Sequence, residues 1–504
     1  MRLLNGRQLQ QTSLAAVSLG GAVLGWCVFA RFAFEDAYIT FRYAQNLALG
    51  HGLVFQPGED VLGTSSPLWA LMLGLLGAVG VDIPDAAGAI SCAALAATAY
   101  LGGRMLQREG MATAGFLFAA LLVAGFLGVY DAWGMETPLF LALTLGSFRL
   151  LEAGALRSAG VLLGAASLVR YEGLAFFAPA AIYCLRTASA AGLSSHLKRT
   201  SDVIVTAALV TLPWWVYAAA TYGSPFPHTL EAKAGDIGAA GYLALSLREL
   251  PHEWLGQVTT AVRGPNASAT LAWFVTPWLL GGVILGVLRL VRSRSALPEL
   301  SFGALLIVCG LALIGPGHCF RWHRLPVHLP LALSALAGWA ILWPRFAQLS
   351  RASLGLGALV SLAAIPVLQM IRWSALTEVE YYRTRVAAYD AVIEFIQERG
   401  WGDELLLTAE PGYVTYHTGN PVIDAAGLVT KGISFGSDER APTTLGALLA
   451  QRPGLILARA PFHPAGYEVV FDGEGGCRLL ASPLVRPRAG ARLAARTQSV
   501  TRSR

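Results

Sequence analysis

The sequence predicts a polytopic α-helical membrane protein that carries a small α/β domain at its C-terminal end. Three observations predict it. The 504 residues are 55% hydrophobic and only 13% charged, with a mean hydropathy of +0.54. Soluble domains carry about 25% charged residues. A chain this apolar cannot clothe itself in polar surface, so lipid must do part of that work. Second, apolar runs long enough to cross a bilayer recur near 14–33, 85–104, 111–130, 135–152, 202–221, 271–290, 325–343 and 353–371, with a shorter one at 301–316. Third, the character of the chain changes over its last ~130 residues, where short apolar strand patterns alternate with helical ones.

The net charge of +6 fits basic cytoplasmic loops. Nucleic-acid binding would need a basic face on a soluble module, and the pattern offers none. The first run follows a short stretch with Arg2 and Arg7 and lacks a small-x-small cleavage site, which predicts an uncleaved signal anchor. Of six cysteines, Cys27, Cys92, Cys184 and Cys309 lie in apolar runs, leaving Cys319 and Cys477; no disulfide framework and no metal spacing emerges.

Basic loops set the orientation. With Arg2 and Arg7 in the cytoplasm, Arg104/Arg108, Arg149/Arg157, Arg186/Lys198/Arg199, Arg289/Arg292/Arg294 and Arg345/Arg351 belong there too. This requires that 158–185 form a hairpin of two short helices meeting at Leu168-Val-Arg-Tyr-Glu-Gly173. It also requires that 66–81 be re-entrant or lie on the surface. The count is then about eleven crossings. Five segments fall outside: Glu35–Ser65, Asp131–Thr137, Tyr222–Thr270, Gly317–Arg324 and everything after about Trp373.

The domain division is a transmembrane domain over 1–374 with a first external loop at 34–65, an extracytoplasmic α/β domain over 375–485, and a disordered basic tail over 486–504. Within the α/β domain, Glu378–Arg399 reads as an amphipathic helix, Leu405–Thr408 and Leu455–Ala458 as buried strands, and Thr443–Ala450 as a helix between them. Val469–Phe471 and Arg478–Ala481 read as further strands. A domain of this size is expected to be too short for an elaborate site of its own.

The external face collects the unusual polar residues. Glu35-Asp36 closes the first apolar run, and an amphipathic stretch suited to a surface helix follows over 38–49. Asp36 is either a helix-flanking charge or a general base at the interface, where a carboxylate can take a proton from a sugar hydroxyl. Glu35 shares that role or is solvated. In Gly134-Met-Glu136-Thr-Pro138, Pro138 suits a helix start and Glu136 the positive helix end; alternatively Glu136 is a second acid facing Asp36. Arg170 and Glu172 are two apart and would not face each other on one helix. Ionisable groups between apolar segments are functional candidates. Tyr222–Lys233 contains a rigid turn at Gly223, Pro225 and Pro227, and Lys233 either snorkels or reaches a surface phosphate. Finally, His318, Arg321, His323 and Arg324 form a basic cluster on the external side, against the orientation bias. Guanidinium forks suit phosphate oxygens. The histidine spacing of five is poor for metal ligation on a helix.

Several of these stretches together resemble a known family. Glu35-Asp-Ala-Tyr-Ile-Thr-Phe-Arg-Tyr-Ala-Gln-Asn-Leu-Ala-Leu-Gly-His-Gly52, Pro57-Gly-Glu and Leu62-Gly-Thr-Ser-Ser-Pro-Leu-Trp69 resemble the first external loop of bacterial GT-C glycosyltransferases. The nearest likeness is to the mycobacterial terminal arabinofuranosyltransferases and polyprenyl-phosphate-mannosyltransferase-like enzymes. Gly134–Thr137, Leu168–Gly173, Tyr222–Thr229 and Gly412–Leu428 add weaker matches, so the resemblance spans roughly 30–430. Two departures stand out: Tyr171 replaces a proline, and His228 stands where the family often has Asn. The resemblance implies a GT-C fold, a polyprenyl-phosphate sugar donor and direct displacement at the anomeric carbon. It implies Asp36 as base with Glu136 nearby. Positive charge must then hold the leaving phosphate. Lys233, Arg321 and Arg324 are the candidates, with Arg42 and Arg170 behind them, and Glu172, His228, His318 and His323 as further substrate contacts.

The expectation is a multi-pass enzyme of the inner (cytoplasmic) membrane, working on its outer side. It passes a hexose or pentose to a glycan, lipid or protein of the envelope, without nucleic acid and without an assigned metal. Whether a divalent cation takes part is open in the sequence. The competing classes are a lipid-linked sugar transporter or flippase and a non-catalytic membrane scaffold. Transport predicts mid-membrane charges and internal repeats, whereas here the charges gather at one face.

Overall fold

The computed structural model describes residues 6–29, 35–188, 192–232, 265–314, 321–342, 385–431 and 442–486, with a few isolated positions between them. Lys233, His318 and the basic tail from 487 lie outside the described residues.

Thirteen helices precede the α/β domain among the described residues: α1 (Gly6–Phe29), α2 (Glu35–Ala48), α3 (Pro67–Ala78), α4 (Ile83–Arg108), α5 (Ala112–Val123), α6 (Thr137–Glu152), α7 (Leu156–Val169), α8 (Phe177–Thr187), α9 (Gly192–Tyr222), α10 (His228–Ala232), α11 (Pro265–Leu290), α12 (Leu297–Ile314) and α13 (Arg321–Leu342). Four of them, α1, α4, α9 and α12, are long and apolar enough to cross a membrane. Large apolar side chains such as Leu209 and Val216 on α9 and Leu305 and Leu313 on α12 stand exposed. That surface is too apolar for water and suits lipid tails.

The apolar stretch 66–81 contains only the 12-residue helix α3. At 1.5 Å per residue it spans about 18 Å, short of the ~30 Å hydrocarbon core. Its start is set by Pro67, whose missing N–H costs nothing in the first turn. Two short helices, α7 and α8, flank the expected break, but α7 packs chiefly against α6 and α9 and not against α8. The chain leaves α7 at Arg170 in an extended conformation (φ −149°, ψ 133°) and makes a 3₁₀ turn over Tyr171–Phe176 before α8.

α2 is amphipathic, as its sequence predicts, but it is not a surface helix. Ala37 to Ala44 and Asn46 are all buried. The loop after it folds back over it. Asn46 Nδ2 donates to the Val54 and Phe55 carbonyls (2.9 and 2.7 Å). Tyr43 Oη donates to Val61 O (2.5 Å) and accepts from Gly63 N (2.7 Å). Each buried polar group thereby finds a partner inside the loop.

The C-terminal domain consists of α14 (Ala387–Arg399), β1 (Leu406–Thr408), α15 (Tyr413–Thr418), β2 (Val422–Asp424), α16 (Pro442–Ala450), β3 (Leu455–Arg459), β4 (Glu468–Asp472) and β5 (Cys477–Ala481). The sheet order is β2-β1-β3-β5-β4. β1 is parallel to β2 and β3, while β5 is antiparallel to β3 and β4. Four of the five strands match the sequence expectation; β2 was not expected.

This domain is docked tightly on the first loop. Ile39, Tyr43, Leu53, Phe55 and Leu62 share one buried cluster with Val422, Ala426, Leu428 and Val429. Arg42 reaches across to the Thr415 and Gly419 carbonyls, both at 3.0 Å. Gln56 Oε1 accepts from Val422 N (2.9 Å). Contact is so close that a Cβ on Gly63 would lie 2.8 Å from Leu428 O, and one on Gly412 would collide with the Glu35 carbonyl. Only glycine permits that approach.

Candidate active site

Asp36 opens into a polar cleft with about 470 Å³ of empty space. Its wall is built from seven places in the chain: Asp36, Ile39 and Thr40 of α2; Gly63–Ser66 of the first loop; Met135 and Glu136; Arg170; Thr229; His323; and Leu428. The first turn of α2 carries the carboxylate pair, where the helix dipole favours negative charge. Asp36 is half-buried. Beneath it Thr40, Thr64 and Ser66 form a hydroxyl cluster, with Thr40 Oγ1 to Thr64 Oγ1 at 3.2 Å and Thr64 Oγ1 to Ser66 Oγ at 3.3 Å.

Across the cleft stands a buried ion triad. Arg170 donates to Glu136 Oε1 (2.6 Å), Thr137 Oγ1 (2.9 Å) and Glu172 Oε1 (2.6 Å). Helix geometry would forbid the Arg170–Glu172 pairing. It forms because Arg170 is extended, which turns residues two apart to the same side. Glu136 occupies the N-cap position of α6 but makes no side-chain cap bond, and Pro138 lies in the first turn as the sequence predicts. Two carboxylates around one guanidinium leave this side of the cleft net negative unless a proton is bound.

A second, mostly apolar groove adjoins the cleft and holds about 1140 Å³ of empty space. Leu306, Ile307, Gly310, Leu311 and Ile314 of α12 form one wall; Phe226, Pro227 and Leu230 face them. Ser65, Arg170, Thr229 and His323 line both spaces. The groove therefore ends where the cleft begins. Tyr171 fixes its rim: its Oη donates to Pro225 O (2.9 Å) and accepts from Trp214 Nε1 (3.1 Å).

Of the expected residues, Asp36, Glu136, Arg170 and His323 meet in the cleft, and Glu172 lines the groove beside them. Glu35 does not. It is buried rather than solvated, and its carboxylate accepts a hydrogen bond from Gly412 N of the C-terminal domain. Burial, with the Asp36 and Glu410 charges added, pushes Glu35 well above the usual carboxylate range. Arg42 does not reach the cleft either. Its guanidinium is committed to the Phe55, Thr415 and Gly419 carbonyls, so it anchors the C-terminal domain instead of a phosphate. His228 begins α10, its N–H donating to Leu62 O (2.8 Å); it lines neither space. Arg324 is buried in α13 outside both linings. Arg321 starts α13, two residues before His323. The groove is bordered by α12 and 226–230, whereas α2 is covered on nearly all sides.

The sequence reading passed over Thr40, Thr229, Leu428 and Asp424. Asp424 is fully buried and accepts from Ala426, Leu428 and Val429 N–H groups (2.6–3.0 Å). It thereby holds Leu428 against the cleft. An Asp followed closely by Gly427 is a turn signal, but nothing local says what the turn faces. Among the described residues no group of three His, Cys, Asp or Glu side chains is placed to hold a metal.

No protein-family model matches the chain, and no curated protein does. Among solved structures, ArnT from Cupriavidus metallidurans bound to undecaprenyl phosphate is similar over 93% of this chain and 97% of that one, with a TM-score of 0.56 and 15% identity. By that likeness in three dimensions, this chain has the GT-C fold.

Proposed function

We propose that the protein is an integral membrane glycosyltransferase that takes a sugar from a polyprenyl-phosphate donor. The observation that carries this reading is the shared wall. A polar cleft holding a carboxylate opens, through Ser65, Arg170, Thr229 and His323, into an apolar groove. A lipid-linked sugar has the same two-part chemistry, a water-seeking head on a greasy tail. The similar ArnT structure carries undecaprenyl phosphate, which supports a donor of that class.

In this reading Asp36 takes the proton from an acceptor hydroxyl. The freed oxygen attacks the anomeric carbon, the carbon–oxygen bond to phosphate breaks with inversion, and polyprenyl phosphate leaves. No strong acid is needed, because a phosphate leaves as a stable anion; positive charge must meet it. His323 lies at the junction, on a helix whose N-terminal turn faces anions favourably. Arg321 on the same helix and Lys233 remain candidates for that charge. The acceptor is an envelope glycan, lipid or protein, and the sugar a hexose or pentose. About eleven crossings put the cleft and the α/β domain outside the cytoplasmic membrane.

The test is to incubate purified protein, an envelope membrane fraction as acceptor, and radiolabelled prenyl-phosphoryl pentoses and hexoses, measuring released prenyl phosphate. Wild type consumes at least one donor. Asp36→Asn lowers the rate by roughly 10²–10⁴-fold, the usual worth of a general base, with folding intact. Turnover by that variant near the wild-type rate excludes the role.

A further inference from the structure

The α/β domain, too short on sequence grounds for a site of its own, contains a crevice with about 1020 Å³ of empty space. It lies at the C-terminal ends of β1 and β3, where Thr408, Ala409 and Glu410 leave one strand and Ala458 and Arg459 end the other. From β1 the chain turns to β2 on one edge of the sheet; from β3 it goes toward β4 on the opposite edge. The two loops diverge, and a gap opens between them. Ligands of open α/β sheets bind at such points.

The lining states what fits. Arg385 and Arg459 are matched by Glu410 and Glu474, so neither an anion nor a cation gains a net charge partner. Glu410 is held from two sides: Arg385 NH1 donates to Oε1 and Tyr389 Oη donates to Oε2. A carboxylate has about four acceptor positions, so a fixed, oriented acceptor is left facing the space. Phe462, Leu407 and Leu457 add an apolar side. Burial, with Glu410 nearby, raises the Cys477 thiol to about 11, so the floor is neutral. Exposed Arg459 and Glu474 mark the mouth. Oriented planar hydrogen-bonding groups, an aromatic ring and no net charge suit a neutral polyhydroxylated ring.

We infer that this crevice binds a saccharide unit of the acceptor glycan. The acceptor part rests on the glycosyl-transfer reading above. One more observation joins the two sites. Glu410 faces the crevice, and two residues later Gly412 N donates to Glu35, the neighbour of Asp36. Pro411 stiffens the link between them. A glycan held in the crevice is thus carried by the same rigid segment that docks on the catalytic helix.

The test uses the full-length protein in lipid nanodiscs. Saturation-transfer NMR is recorded with methyl glycosides of glucose, galactose, mannose and arabinofuranose, and phosphorus line broadening with inorganic phosphate. At least one glycoside receives saturation from wild type and from Asp36→Asn alike. Arg459→Gln and Glu474→Gln, both at exposed positions, each weaken it by about fivefold or more, the loss of one hydrogen bond. In the transfer assay Arg459→Gln raises the acceptor KM by a similar factor and leaves kcat and donor KM unchanged. Absence of glycoside binding, binding that both variants leave untouched, or binding of phosphate alone overturns the site. An unchanged acceptor KM overturns the acceptor assignment. Full turnover by Asp36→Asn sinks the transfer mechanism but leaves the glycoside result standing, so the two failures are told apart.

Discussion

Deleting the guanidinium of Arg170 tests the electrostatics of the cleft. Arg170→Met keeps an unbranched stem and removes hydrogen bonds to Glu136 (2.6 Å), Thr137 (2.9 Å) and Glu172 (2.6 Å). The two carboxylates are not equally placed. The Glu136 side chain is 6% exposed and that of Glu172 21%. Glu172 can turn toward water, whereas Glu136 is left as a buried, uncompensated charge. Breaking a buried pair from one side costs about 3–5 kcal/mol, most of it from the stranded partner. Glu136→Gln in the same chain removes that stranded charge, so the double variant should lose only about 1–2 kcal/mol, the scale of the remaining hydrogen bonds. Glu136→Gln alone keeps the Arg170–Glu172 pair and costs about 1–3 kcal/mol. The signature is the order: the double variant is more stable than Arg170→Met. Unfolding in detergent can be followed with a thiol-reactive dye, since Cys92, Cys184 and Cys477 are free and buried. A double variant destabilised by the sum of the two single changes refutes the coupling.

Glu35 gives a pH dependence of defined sign. Its folded-state carboxyl is raised above 4.5, so the folded chain holds the proton more tightly than the unfolded one. Its contribution is complete below about 4.5 and is lost as pH rises through the raised value; Glu35→Gln should lack that decline in thermal unfolding scans. Gly310 lines the groove, and no atom lies within 4 Å of where its Cβ would be. Gly310→Leu should therefore fold well but raise the donor KM by about tenfold, as one or two methylenes of a tail are displaced; an unchanged KM would show that the tail lies elsewhere. Arg42→Ala strands the buried carbonyl of Thr415, at about 1–3 kcal/mol, whereas the carbonyl of exposed Gly419 is met by water instead. Limited proteolysis should then cut faster between 413 and 430, and resistance equal to wild type would contradict the anchoring role.

Sequence alone determined the features that depend on local chemistry. Apolar runs reveal lipid-facing helices because the requirement is one of average composition. Pro67 and Pro138 mark helix starts because a missing N–H is harmless only there. The break at Leu168–Gly173 shows because charged residues interrupt two apolar periods. The acid pair was legible as a candidate because polar groups at a membrane edge need a reason. Only the tertiary structure decided which of them meet. Asp36, Glu136, Arg170 and His323 come from segments scattered over nearly 290 positions of the chain, and no local pattern encodes that convergence. Glu35 and Asp36 are neighbours in sequence, yet successive helical side chains point about 100° apart. One therefore faces the cleft and the other Gly412. Arg42 had the charge a phosphate needs, but carbonyls from residues 415 and 419 reached it first. A side chain's chemistry is written in its own residue; its partner is set by packing between elements far apart in the chain.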